Sequence, residues 1–203
     1  MQTTQEQETL LQNDFNKFSK IALKATGERS QAIETLLETL GERIVMCPAS
    51  LQESQPWSSP GGLIKMSLDV TGKMRTILKG FEELPGVDSE SLVIVGLFHG
   101  LGMIGSIDTN EEYFVNQDSD WHRRQGRLYR YNEKLPKVPI AHRSLQILQH
   151  FGVKLTPEEW VAIAISGGPW REENRFYVGS EPSLAVLLTQ ARQWVLRQYP
   201  GEE

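Results

Sequence analysis

The residue best placed for chemistry in this 203-residue chain is His99. It ends an apolar run from Leu92 to Phe98 and is followed by Gly100, Gly102 and Gly105. An imidazole can ligate a divalent cation when further ligands stand beside it. Here the next residue is Gly100, which supplies neither a ligand nor a base. A catalytic metal takes about three protein ligands. His99 alone therefore reads as a hydrogen-bonded structural residue at a helix end. A rearranged site would have to recruit His142, Asp69 or Asp108, while His122 and His150 read as surface residues.

A second constellation lies between residues 121 and 131. Trp121, His122, Arg123, Arg124, Arg127, Tyr129, Arg130 and Tyr131 mix cations with aromatic rings, a combination that binds phosphates and stacks bases. The same composition also suits a solvated hairpin whose arginines lie over its own rings. The single cysteine, Cys47, has no intramolecular partner, and no CxxC or Cys/His cluster suggests structural zinc.

Helices must carry most of these residues. Leu10, Leu11, Phe15, Phe18 and Ile21 recur at helical intervals, and after a break at Gly27 so do Ala32, Ile33, Leu36, Leu37, Leu40 and Ile44. The stretch from Met46 to Gly62 is rich in Pro, Ser and Gly and reads as loop. Leu63, Met66, Val70, Met74 and Ile77 then share a helix face. Asp88 to Ser91 offers capping chemistry for a helix through Phe98 that is apolar on most sides, so it should be central and buried. Glu111 to Val115 and Gly126 to Tyr131 alternate as two short strands of an inserted hairpin. Thr156, Pro157 and Glu159 form a capping box ahead of another helix, and Ser183 to Leu196 makes the last one. The fold class is mainly α, a helical bundle with a small β-hairpin. Its parts are helices in 1–44 packed on a main domain of 45–199, and a tail from Tyr199 through 200–203 that is expected to be disordered.

Length allows one sizeable core without disulfide staples. Met1 to Glu8 is polar and acidic, unlike a secretory signal, and no apolar run approaches the ~20 residues that span a bilayer. A soluble, reducing, cytoplasmic setting with no membrane partner is expected. The net charge of −5 argues against general nucleic-acid affinity, leaving the 121–131 strip as a local exception.

Several of these segments, in order, resemble the phage and bacterial branch of the HD-domain metal-dependent phosphohydrolases. The shared marks are the Pro48-Ala49-Ser50 loop, Gly61-Gly62-Leu63, the helix-terminal His99, the aromatic hairpin, His142 with Ser144, Leu155-Thr156 with Glu158-Glu159, and Leu187-Leu188 with Ala191. The resemblance implies an HD-like helical bundle over about residues 45 to 197 and makes a phage-encoded protein an expectation. It also implies that the ligand positions are degenerate. Met66 stands where the first ligand histidine belongs, Gly100 where the aspartate follows His99, and Arg192 where the last aspartate belongs. A further family histidine falls on Ile165 or Ser166, and Met103 replaces a lysine. A thioether is a poor ligand for Mg, Mn, Fe(II) or Zn, and a guanidinium cannot coordinate a cation.

The functional expectation is a catalytically inactive pseudoenzyme that binds or regulates, with no cofactor and no metal. Its vestigial site would comprise Met66, His99, Gly100, His142, Ser166 and Arg192, where Arg192, His99 and His142 would gather positive or protonatable groups. Arg123, Arg124, Arg127, Tyr129 and Arg130 are candidate contacts for an anion or partner. The partner expected is a protein or a phosphate-containing ligand, with nucleic acid reachable through the strip. The alternative is a metal-dependent phosphohydrolase of nucleotides through a rearranged site.

Overall fold

Leu92 to Phe98 have no polar side chain among them, and a helix apolar on all sides can only sit inside. The computed structural model describes residues 4–25, 29–81, 84–85 and 87–199. The break expected at Gly27 and the tail at 200–203 lie outside the described residues. In chain order the helices are α1 (Thr4–Ala25), α2 (Ser30–Met46), α3 (Gly62–Leu78), α4 (Ser89–Phe98), α5 (Asp120–Arg124), α6 (Ile140–His150), α7 (Pro157–Ala164) and α8 (Ser183–Arg197). Short 3-10 turns run Leu101–Ile104 and Glu172–Tyr177. Strands β1 (Phe114–Asn116) and β2 (Tyr129–Tyr131) pair antiparallel with Phe114 opposite Tyr131 and Val115 opposite Arg130. The fold is mainly α with one small hairpin.

Helix α4 is the axis. Asp88 caps it, accepting from the Ser91 backbone N–H at 2.8 Å, and every residue from Ser91 to Phe98 is buried. Helix α3 packs closely against α4 because Gly96 lets it: a Cβ there would stand 2.5 Å from Thr71 Oγ1. Helices α1, α7 and α8 pack on other sides of α4, with Phe18 of α1 edge-on to Phe98 at 5.7 Å. The capping box expected at α7 is present, with Thr156 Oγ1 accepting from Glu159 N–H and Glu159 accepting from Thr156 N–H. Glu159 is fully buried and also pairs with Arg29 at 2.7 Å, while the same guanidinium reaches Glu90 at 2.8 Å. One side chain thus ties α7 and α4 to the entry of α2.

Two sequence expectations need correction, and one element was not expected. The strands are shorter than read, and the polar stretch between them folds into α5, because Ser119 caps it by accepting from His122 N–H at 3.4 Å. Tyr199 is ordered rather than part of a loose tail: its ring sits edge-on to Trp57, and its hydroxyl donates to Asp69 at 3.3 Å. The 3-10 turn at 172–177 has no strong periodicity and was not expected.

Candidate functional site

The site grows from the end of α4. His99 is 2 % exposed, and its Nδ1 lies 3.0 Å from the Gly96 carbonyl, so Nδ1–H donates back into the helix. That leaves Nε2 as an acceptor, and it is buried without a hydrogen-bond partner among the described residues. Desolvation first, and the nearby Arg192 charge second, push the His99 pKa down to about 3. The ring is neutral at physiological pH.

The volume beside Gly100 is filled. A Cβ on Gly100 would lie 2.7 Å from Met66 Cε and 3.3 Å from Leu63 Cδ1. Met66 is 5 % exposed and belongs to the core, so the thioether covers the spot where a carboxylate at position 100 would stand. Positions 66 and 100 are complementary in size: the residue without a side chain is packed by a long one.

Helix α6 is latched to the same point. Ser144 Oγ accepts from Gly102 N–H at 2.8 Å and lies 3.0 Å from both the His99 and Ile140 carbonyls, one of which receives its proton. His142 does not join this site. Helix α6 buries Ala141, Ser144, Leu145 and Leu148, which turns His142, Gln146 and Gln149 to solvent. Ser166 is buried just beyond α7, in a turn pinned by Asn174 Nδ2 on the Ile165 and Gly168 carbonyls. No hydrogen bond joins its hydroxyl to His99 among the described residues.

Arg192 does reach the site. It is half-buried on α8, it lowers the His99 pKa through its charge, and it has no hydrogen bond or ion pair among the described residues. Its own pKa is lowered, by desolvation and then by Arg171. Arg171 was missed by sequence reasoning because it lies outside any helix pattern. Its only carboxylate neighbour among the described residues, Glu173, is 3.8 Å away. Exposed Trp170 and Phe176 flank it in sequence.

The 121–131 strip divides. Arg123 pairs with Asp120, and Arg130 with Asp118 at 3.2 Å, so acidic neighbours on the same hairpin hold two of the arginines in place of its own rings. Tyr129 is half-buried and packs against the core beside Cys47, while Tyr131, two residues on along the same strand, is exposed. Arg124, Arg127 and Trp121 remain outward.

The residues a rearranged metal site would need stay apart. Asp69 is exposed and held by Trp57 Nε1 and Tyr199, Asp108 is an exposed loop residue, and His142 faces solvent. Among the described residues no group of three or more His, Cys, Asp or Glu side chains is arranged to hold a metal ion. Among them, too, no helix is long and apolar enough to cross a membrane. Compared with protein-family models, curated proteins and solved structures, the chain matches none of them.

Proposed function

We propose that the chain is a catalytically inactive, HD-like binding module that holds a phosphate-type anion at Arg192 and Arg171. The observation that carries this reading is the Met66 methyl standing 2.7 Å from the Cβ position of Gly100, which fills the volume a metal-binding carboxylate would need. With that volume taken, the charge left beside His99 is the cation of Arg192, not a carboxylate pair. The half-buried Arg192 guanidinium has no partner among the described residues, and a forked guanidinium suits phosphate oxygens. His99, being neutral and buried, adds no charge. The anion would be free, on a nucleotide, or carried by a protein partner in a reducing cytoplasm.

The test is titration of inorganic phosphate, mononucleotides and short oligonucleotides into wild type and Arg192→Ala, read by tryptophan fluorescence and calorimetry. Binding should weaken by about tenfold or more in the variant, the worth of one charge-assisted hydrogen bond. Equal binding, or none by either protein, sinks the anion site. Stoichiometric metal in protein purified without chelator, together with phosphatase turnover in Mn, Mg, Ni or Fe(II), would sink the non-catalytic part.

A further inference from the structure

A cavity of about 280 Å³ opens where the end of α2, the 3-10 turn at Leu101–Ile104 and the hairpin meet. Its size is at the small end of ligand pockets, which run from about 300 Å³ upwards. Met46, Pro48, Met103 and Phe114 give it apolar walls, and Met46 is 50 % exposed. Phe114 and Asn116 share one face of β1, and Asn116 stands opposite Tyr129 on β2, so the pairing brings all three to the same wall.

Two of the polar groups at this cavity are already engaged. Cys47 Sγ lies 3.2 Å from the Pro48 carbonyl and 3.3 Å from the Met103 carbonyl. Burial first, and the Glu112 charge second, push its thiol well above the usual range, so it stays protonated and offers no nucleophile. Arg43 Nη2 donates to the Ile104 and Ser106 carbonyls at 2.7 and 3.0 Å, and Nη1 to Asn110 at 3.2 Å, while Nε is sealed from solvent. Its donors are turned to the 104–110 loop rather than left for a ligand.

Three groups remain. Glu112 is exposed, and its carboxylate has no hydrogen bond or ion pair among the described residues. Its charge acts on Arg43, Cys47 and Tyr129 alike, which puts the carboxylate at the cavity they line. The Tyr129 hydroxyl and the exposed Asn116 amide also have no partner there, and neither is sealed from solvent. A free carboxylate accepts only, and the other two groups can accept as well. An anion would meet the Glu112 charge and find no free cation. The Arg43 charge opposes a bound cation, but it is engaged by carbonyl oxygens, whereas the Glu112 charge has no other partner.

We propose that this cavity binds a small organic cation, a single-ring or short-chain amine or amidine. Its head would sit on Glu112, Tyr129 and Asn116, and its apolar body against Met46, Met103 and Phe114. Neither Arg192 nor Arg171 lines the cavity, and the proposal does not rest on the anion site.

The experiment titrates benzylamine into the full chain with isotope-labelled methionine methyl groups, followed by NMR. Benzyl alcohol and benzoate at matched ionic strength serve as probes of the same shape without the cation. The Met46 and Met103 signals should move saturably with one affinity, while Met74, fully buried elsewhere, stays in place. Benzyl alcohol and benzoate should bind about tenfold or more weakly, the worth of one charge-assisted hydrogen bond. Glu112→Gln, an exposed change that spares the core, should weaken benzylamine by about tenfold or more and erase its preference over benzyl alcohol. Tyr129→Phe should weaken it by about threefold. Arg192→Ala should bind benzylamine as wild type does, and inorganic phosphate should leave the Met46 and Met103 signals in place. No movement of those two signals, movement shared by Met74, equal affinity for benzyl alcohol, or unchanged affinity in Glu112→Gln would each overturn the proposal. So would loss of the response in Arg192→Ala, or the same response to phosphate.

Discussion

His99 illustrates how a reactive residue type becomes a structural one. Its proton sits on Nδ1, bonded to the carbonyl one turn earlier, and burial together with the Arg192 charge holds the folded-state pKa near 3. In the unfolded chain the ring titrates near 6.5. Above that pH both states are neutral and the group contributes nothing. Below it the unfolded state gains a proton that the folded state refuses, so stability falls as pH drops from about 6.5 towards 3. The expected slope from this group is about 1.4 kcal/mol per pH unit, or about 2 kcal/mol between pH 6.5 and 5. Urea unfolding of wild type and His99→Gln at both pH values checks it: the variant should lose that part of the pH dependence. An equal pH dependence in both proteins would mean that the ring is protonated in the folded state.

Between elements, the joint that matters is α3 against the end of α4, where Met66 packs over Gly100. The Gly100 backbone has φ −97°, which alanine adopts easily, so Gly100→Ala should gain up to about 1 kcal/mol by restricting the unfolded chain. Against Met66 the added methyl overpacks, at a cost of about 1–3 kcal/mol. In wild type the net effect should be destabilising, and in a Met66→Ala background it should reverse sign. A double-mutant cycle by urea unfolding measures that coupling, and additive effects would show that the two side chains do not share the volume. Much of this scale was legible in the sequence. The Thr156 capping box, the Asp88 cap and the all-apolar α4 were readable because their causes are local. The Arg29 to Glu159 pair joins residues 130 apart, and nothing in either neighbourhood announces it. Nothing in the residues around Arg143 announces its burial, which follows from how α6 meets the 3-10 turn at Leu101–Ile104. His142 was misplaced because its motif match ignored which face of α6 is apolar.

For the whole molecule the question is whether the first two helices belong to the same cooperative unit as the rest. Phe18 and Ala22 of α1 are 1 % and 0 % exposed, and α2 buries Ile33, Leu36 and Ile44 in the same continuous core as α4 and α8. Arg43 of α2 reinforces the joint, donating to the carbonyls of Ile104 at 2.7 Å and Ser106 at 3.0 Å. Cutting here would open α4 to water, so residues 1–44 should not form a separable domain. All five tryptophans, from Trp57 to Trp194, lie outside those residues. Tryptophan fluorescence therefore reports the remainder, while far-ultraviolet circular dichroism reports all the helices. The two denaturation curves should coincide, as a single two-state transition requires. Phe18→Ala should cost about 3–5 kcal/mol through the cavity left against Phe98, a large part of the stability of an ordinary domain. The decisive readout is that the fluorescence midpoint must shift with the dichroism midpoint, although the mutated helix contains no tryptophan. A shift confined to dichroism would make α1 an appendage and move the boundary of the folded unit to the start of α2 or beyond.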